Sequence, residues 1–252
     1  MEWAFGVARE GSETHVTNAM DQGEFPLNNE VALSVYTRMT TSIPMRVPFV
    51  LIILIGVTSC TGLLPGKKAD TFSPSQSSMI MAAAADVPMR IFVITNYEDS
   101  LLLRSKSEDI IPNPKDKELQ HFLLRLQRTV TDSMAMGVGI AAPQVGILKN
   151  IVLVQRFDKE GFPFEAYLNP VIRQYSEKKR PCREGCLSIP GRVDTTQDRS
   201  YAILIEYDRP DGSHNIEMVE DFTAVIFQHE IDHLHGIIYL DHLAKEIKDS
   251  RH

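Results

Sequence analysis

Between Lys115 and Met136 the apolar positions fall at Leu119, Phe122, Leu123, Leu126, Val130 and Met134, spaced by three and four. That spacing predicts one face of an amphipathic helix, opened by Asn113–Pro114 and stopped at Gly137, with Leu124 off the stripe. Downstream the period changes. Asn150–Gln155, Ala166–Ile172, Tyr201–Tyr207 and Asn215–Val219 are short runs rich in β-branched and aromatic residues and predict strands, and Ile91–Thr95 predicts another. The linker D-R-P-D-G-S between the last two of the four runs is turn-rich and predicts a hairpin. From Thr223 to Leu234 the pattern is helical again, with Val225, Ile226, Ile231 and Leu234 apolar. A helix, several strands and a second helix predict an α+β domain over residues 86–252, its antiparallel strands packed around that second helix.

The first 85 residues follow another pattern. Residues 1–44 show no sustained period, and the apolar run Val47–Val57 is too short to span a bilayer, which needs about 20 residues. Preceded by Arg46 and followed by V-T-S-C, it resembles a lipoprotein signal in which Cys60 would carry a lipid anchor and Met45 would be the start. The alternative is an extension with one apolar patch. Residues 61–85, rich in Ser, Pro and Ala, read as a tether.

Hydrophobic residues make up 43% of the 252 positions, enough for a packed core. A formal net charge of -7 argues against direct nucleic-acid binding through a basic surface. Three cysteines, Cys60, Cys182 and Cys186, are too few for a disulfide scaffold, although the last two are close enough in sequence for a disulfide or a metal site.

The chemistry concentrates in F-Q-H-E-I-D-H-L-H-G, Phe227 to Gly236. His229, Glu230 and His233 form H-E-x-x-H, which on a helix projects both imidazoles from one face. Two neutral imidazoles so placed can hold a divalent ion, and Glu230 stands where it can serve as a general base. The apolar flanks disfavour a merely solvated charged face. Asp232 is a candidate to support a ligand imidazole, and His235 a helix-end residue. A third ligand is required, and Cys186 in E-G-C-L-S is a candidate, the competing readings being a small buried hydrophobe and a disulfide to Cys182. G-V-G-I-A-A-P-Q-V-G, Gly137 to Gly146, follows a helix rather than a strand and contains Pro143, which excludes a dinucleotide-binding turn. A glycine-rich edge that permits close backbone approach fits better, and Gln144 offers an amide donor.

In that order, G-V-G-I-A-A-P-Q, E-G-C-L-S and Q-H-E-I-D-H-L-H-G resemble the three signature motifs of the peptide deformylase family over roughly residues 86–245. The resemblance implies hydrolysis of the N-formyl group from the formylmethionine of a peptide or nascent chain, at one divalent metal ion. It assigns Cys186, His229 and His233 as ligands and Glu230 as the acid/base. Gln144 and the backbone N–H of Leu187 would face the oxyanion, Val138 and Gly139 the extended peptide, and Val225 and Ile226 the methionine side chain. Fe2+ is the expected ion, with Zn2+, Ni2+ or Co2+ as alternatives that a Cys/His₂ site accepts. Work on nascent chains implies the cytoplasm, in reach of the ribosome, against the membrane-anchored location that Met45–Cys60 suggests. Two other readings compete: a metallopeptidase or other metal-dependent amidase, and a binding module with a structural zinc closed by Cys182.

Overall fold

The computed structural model describes residues 71–132 and 137–251. Helices α1 (Pro74–Ile80), α2 (Tyr97–Leu103) and α3 (Lys117–Val130) come first. Strand β1 (Gly139–Ala141) and a 3₁₀ turn (Ala142–Val145) lead into β2 (Ile151–Gln155) and β3 (Phe164–Tyr175). The strands β4 (Cys182–Cys186), β5 (Ile189–Thr196), β6 (Ala202–Asp208) and β7 (His214–Glu220) follow, then α4 (Asp221–Leu234) and α5 (Tyr239–Asp249). Five strands form an antiparallel sheet in the order β1-β2-β3-β6-β7, and β4 pairs with β5 in a separate hairpin.

The expected α+β arrangement holds, and β2 shows why. Its run I-V-L-V is apolar at consecutive positions because both faces of the sheet are covered. Val152 and Val154 pack with Ile226, Phe227 and Ile231 of α4 on one side. Ile151 and Leu153 pack with Leu119, Phe122, Leu126 and Val130 of α3 on the other. The α3 stripe is the one the spacing predicts, and Leu124 is exposed. Helix α4 is buried at every position from Thr223 to Leu234 except Asp232, so it has no polar face. It ends at His235, and Gly236 follows at φ +72°, the left-handed conformation that closes many helices.

Two expectations about the elements need revision. Ile91–Thr95 forms no strand. Its amides go to two different segments, Phe92 N–H to the Gln144 carbonyl (2.7 Å) and Ile94 N–H to that of Ser188 (3.0 Å), so it binds two turns together instead of joining a ladder. Residues 71–85, read as tether, contain α1. Ser73 and Gln76 form its capping box, and Phe72 and Ile80 are buried in the α3 core. The 201–207 and 215–219 runs do form a hairpin, with Arg209 N–H bonded to the Ser213 carbonyl at 2.8 Å. The segments 1–44 and 45–60, with Cys60, lie outside the described residues, and among the described residues no helix is long and apolar enough to cross a membrane.

Candidate metal centre

The pattern of α4 decides where its polar groups go. A helix buried all round must satisfy every polar side chain internally. His229 and His233, one turn apart, face the end of β4, where the pairing register with β5 shifts between Gly185 and Cys186. Cys186 Sγ lies 3.2 Å from His233 Nε2, and one donor atom from each of Cys186, His229 and His233 falls within 4.8 Å of the others, all three residues being buried. The structure therefore brings together the three side chains expected to be ligands.

Glu184, not Asp232, supports the histidine. The two lie on different partners: His229 Nδ1 donates to Glu184 Oε2 at 2.8 Å, whereas Asp232 accepts from Arg199 Nη1 (2.6 Å) and His242 Nε2 (2.8 Å). Glu184 is fully buried, and it also accepts from Arg199 Nε and Nη2 (2.8 and 2.9 Å) and from Thr196 Oγ1. Burial alone would raise its pKa, but the hydrogen bonds from His229 and Arg199 outweigh that and hold the carboxyl well below the usual range. A strand offered the signal that locates Glu184, because positions 184 and 186 share a face. Arg199, Tyr239 and His242 carry no local sign in the sequence, because their partners are distant in it.

Gln144 is fixed by its own turn. Its Oε1 accepts the Ala141 N–H (2.8 Å), which points Nε2 toward Ser188 Oγ (3.3 Å) and Cys186 Sγ (3.6 Å). Leu187 follows Cys186 directly and is half-buried against the α3 core. Glu230 is buried, and its Oε2 has no hydrogen-bond partner among the described residues. Burial, reinforced by the charge of Glu184, raises its pKa well above the usual carboxylate value.

Gly139 explains one glycine of the G-V-G motif. A Cβ there would sit 2.5 Å from Glu230 Oε1 and 2.8 Å from Ile226 Cγ2. The close approach is to side chains of α4 rather than to another backbone. Val138 is buried beside it, with its carbonyl accepting the Gln155 N–H at 2.8 Å, and Val225 and Ile226 are fully buried on α4. His235 Nδ1 meets the Ile231 carbonyl (2.9 Å), as expected of a helix-end residue. Cys182 is a free, buried thiol, so no disulfide joins it to Cys186, and it is not one of the three clustered donors.

Comparison with known proteins gives the same direction. The polypeptide deformylase family matches residues 91–249. A peptide deformylase of Desulforudis audaxviator is 36% identical over 155 residues, which cover 61% of this chain and 94% of that protein. A peptide deformylase of Caulobacter sp. is 34% identical over 161 residues, covering 64% and 90%. Among solved structures, the peptide deformylase of Thermotoga maritima superposes with a TM-score of 0.54 at 30% identity, covering 62% of this chain and 97% of that one.

Proposed function

The chain belongs to the peptide deformylase family, and from that premise we propose that Cys186, His229 and His233 hold the metal ion on which its deformylation depends. Its reaction is hydrolysis of the N-formyl group from an N-terminal formylmethionine, with formate as product. The observation that carries the assignment of roles is the buried Glu230 oxygen without a partner among the described residues, next in sequence to His229, whose imidazole converges with that of His233 and the Cys186 thiol.

The donor set fits a divalent cation of intermediate softness. Burial, with a further push from His229, brings His233 down to about 3, so the imidazole is neutral as ligation requires. Burial pushes the Cys186 thiol up to about 12, a cost that a cation on the sulfur reverses. Glu184 fixes the proton on Nδ1 of His229, which turns Nε2 toward the other donors. We favour Fe2+, with Zn2+, Ni2+ or Co2+ as acceptable substitutes. When bound, such an ion supplies Lewis acidity, acidifying water and withdrawing electron density from a carbonyl.

The rest is the work of the chain's own residues. Glu230 Oε2 takes the proton from the attacking water and returns it to the departing nitrogen, and its raised proton affinity suits that second task. The Gln144 amide, aimed by its bond to Ala141, and the Leu187 N–H stabilise charge that develops on the formyl oxygen. Strand β1 is an edge of the sheet, so Val138 and Gly139 can receive an extended peptide as an added strand. Val225 and Ile226, one turn before His229, line the place of the methionine side chain. A formylated nascent chain as substrate sets the reaction in the cytoplasm within reach of ribosomes; a lipid-anchored location rests on the Cys60 segment alone.

Formate release from formyl-Met-Ala-Ser by anaerobically purified protein tests this reading against a metallopeptidase or another amidase. Formate with an intact Met-Ala-Ser product supports deformylation. Cleavage of the Met–Ala bond without formate would establish a peptidase.

A further inference from the structure

Helix α5 is outside the three motifs, yet two of its side chains converge on His229. The Tyr239 ring stacks on the His229 ring at 6.1 Å between centroids and 24° between planes. It is buried in a small apolar cluster with Cys186, Ile189 and Ile238, and its hydroxyl donates to Asp194 Oδ2 at 3.0 Å. Asp194 lies directly opposite Glu184 in the β4–β5 ladder. Tyr239 is thus packed against one ligand ring and anchored to the hairpin that carries another ligand.

His242, three residues further along the same face of α5, reaches His229 by a longer route. Its Nε2 donates to Asp232 Oδ2 (2.8 Å), the same oxygen that accepts Arg199 Nη1 (2.6 Å). Arg199 then makes a two-pronged contact with Glu184, which accepts His229 Nδ1–H. The sequence is donor, carboxylate, guanidinium, carboxylate, ligand, with charges alternating along it. The outer end lies at a polar cavity of about 190 Å³ whose lining includes Tyr175, Lys179, Arg199, Gln228, Asp232 and His242. Helix α5 also holds the loop that bears Arg199, because Glu246 Oε1 accepts the N–H groups of Gln197 (2.9 Å) and Asp198 (3.0 Å).

We propose that Tyr239 and His242 are positioning residues for the metal ligand His229, Tyr239 through its ring face and His242 through the Asp232–Arg199–Glu184 chain. The inference rests on His229 being a ligand. In this arrangement α5 fixes the angle at which the imidazole meets the ion, and loss of either contact lets the ring swing and shortens the life of the bound metal.

The test uses Co2+ as the probe on the full chain, reading its visible ligand-field bands and its rate of loss to a chelator. Tyr239→Leu, which removes the stacked ring, and His242→Ala are each expected to shift the bands and to speed release by about tenfold, the lower end for groups that orient a ligand without touching the metal. His242→Gln, whose amide can still donate to Asp232, is expected to release at the parental rate, as is Lys245→Ala on the exposed face of α5. Unchanged bands and release in both Tyr239→Leu and His242→Ala, with or without a lower melting temperature, overturn the proposal. Release from His242→Gln as fast as from His242→Ala overturns the hydrogen-bonded route. Failure of the parent protein to take up Co2+ would instead overturn the ligand assignment itself.

Discussion

At the scale of single residues, the centre is held by fit as much as by charge. Gly139 leaves no space for a methyl group beside Glu230 Oε1 and Ile226. Gly139→Ala is therefore expected to displace the Glu230 carboxyl, the proposed acid/base, costing about 1–3 kcal/mol of stability by overpacking, with deformylation falling further than folding. Thermal melts and formate release on the same sample check this; an unchanged turnover would show that Glu230 is not held against β1. Glu184→Gln keeps the shape but removes the charge that balances Arg199 and orients His229. The expected result is about 10- to 100-fold weaker metal binding, measured by chelator competition, and equal affinity would deny Glu184 its role. The spacing of His229, Glu230 and His233 made that triplet legible in the sequence, because helical geometry converts spacing directly into proximity. Cys186 became legible through its motif. Glu184 carried a readable sign, two positions from Cys186 on a strand, whereas Arg199 and His242 owe their place to contacts 15 and 10 positions away from their partners Glu184 and Asp232.

The long helices α3 and α4 and the strands β2, β3, β6 and β7 were readable, whereas α1, α2, β1, the β4–β5 hairpin and α5 were not. Helix α3 spans 14 residues and shows its buried stripe at every turn, and α4 covers the whole stretch expected to be helical and begins two residues before it. Helix α1 has only 7 residues, too few for a period to emerge from a Ser-rich composition, and its capping box is its main local signal. Strand β1 has 3 residues and is defined by its neighbour β2 rather than by its own pattern. The buried Phe72 ring meets Phe122 edge-on at 5.7 Å, so α1 is part of the core. Phe72→Ala is expected to cost about 3 kcal/mol, read as a lower denaturation midpoint. If residues 71–85 were only a tether, the midpoint would not move.

For the molecule as a whole, acid sensitivity follows from its buried carboxylates. At Glu165, burial alone would raise the pKa, but the Tyr167 hydroxyl, Lys159 and the charge of Arg209 lower it to about 2. An unfolded glutamate titrates at about 4.3. The folded value is the lower one, so the stabilisation is complete above the unfolded value and is lost as pH falls from about 4.3 toward 2. Glu184 acts in the same direction. Glu165→Gln should therefore flatten the dependence of the urea midpoint on pH in that window, while the parent protein loses stability steeply; equal slopes would contradict the assignment. Two sheets and two flanking helices thus converge on one buried centre, and the central claim is that Glu230 moves the proton there without holding the ion. The most direct test is to measure bound metal and formate release together in Glu230→Gln, prepared anaerobically beside the parent protein. The account predicts equal metal content with turnover reduced by about 10²- to 10⁴-fold, the usual contribution of a positioned general acid–base. Parental turnover in a metal-loaded Glu230→Gln protein would contradict it.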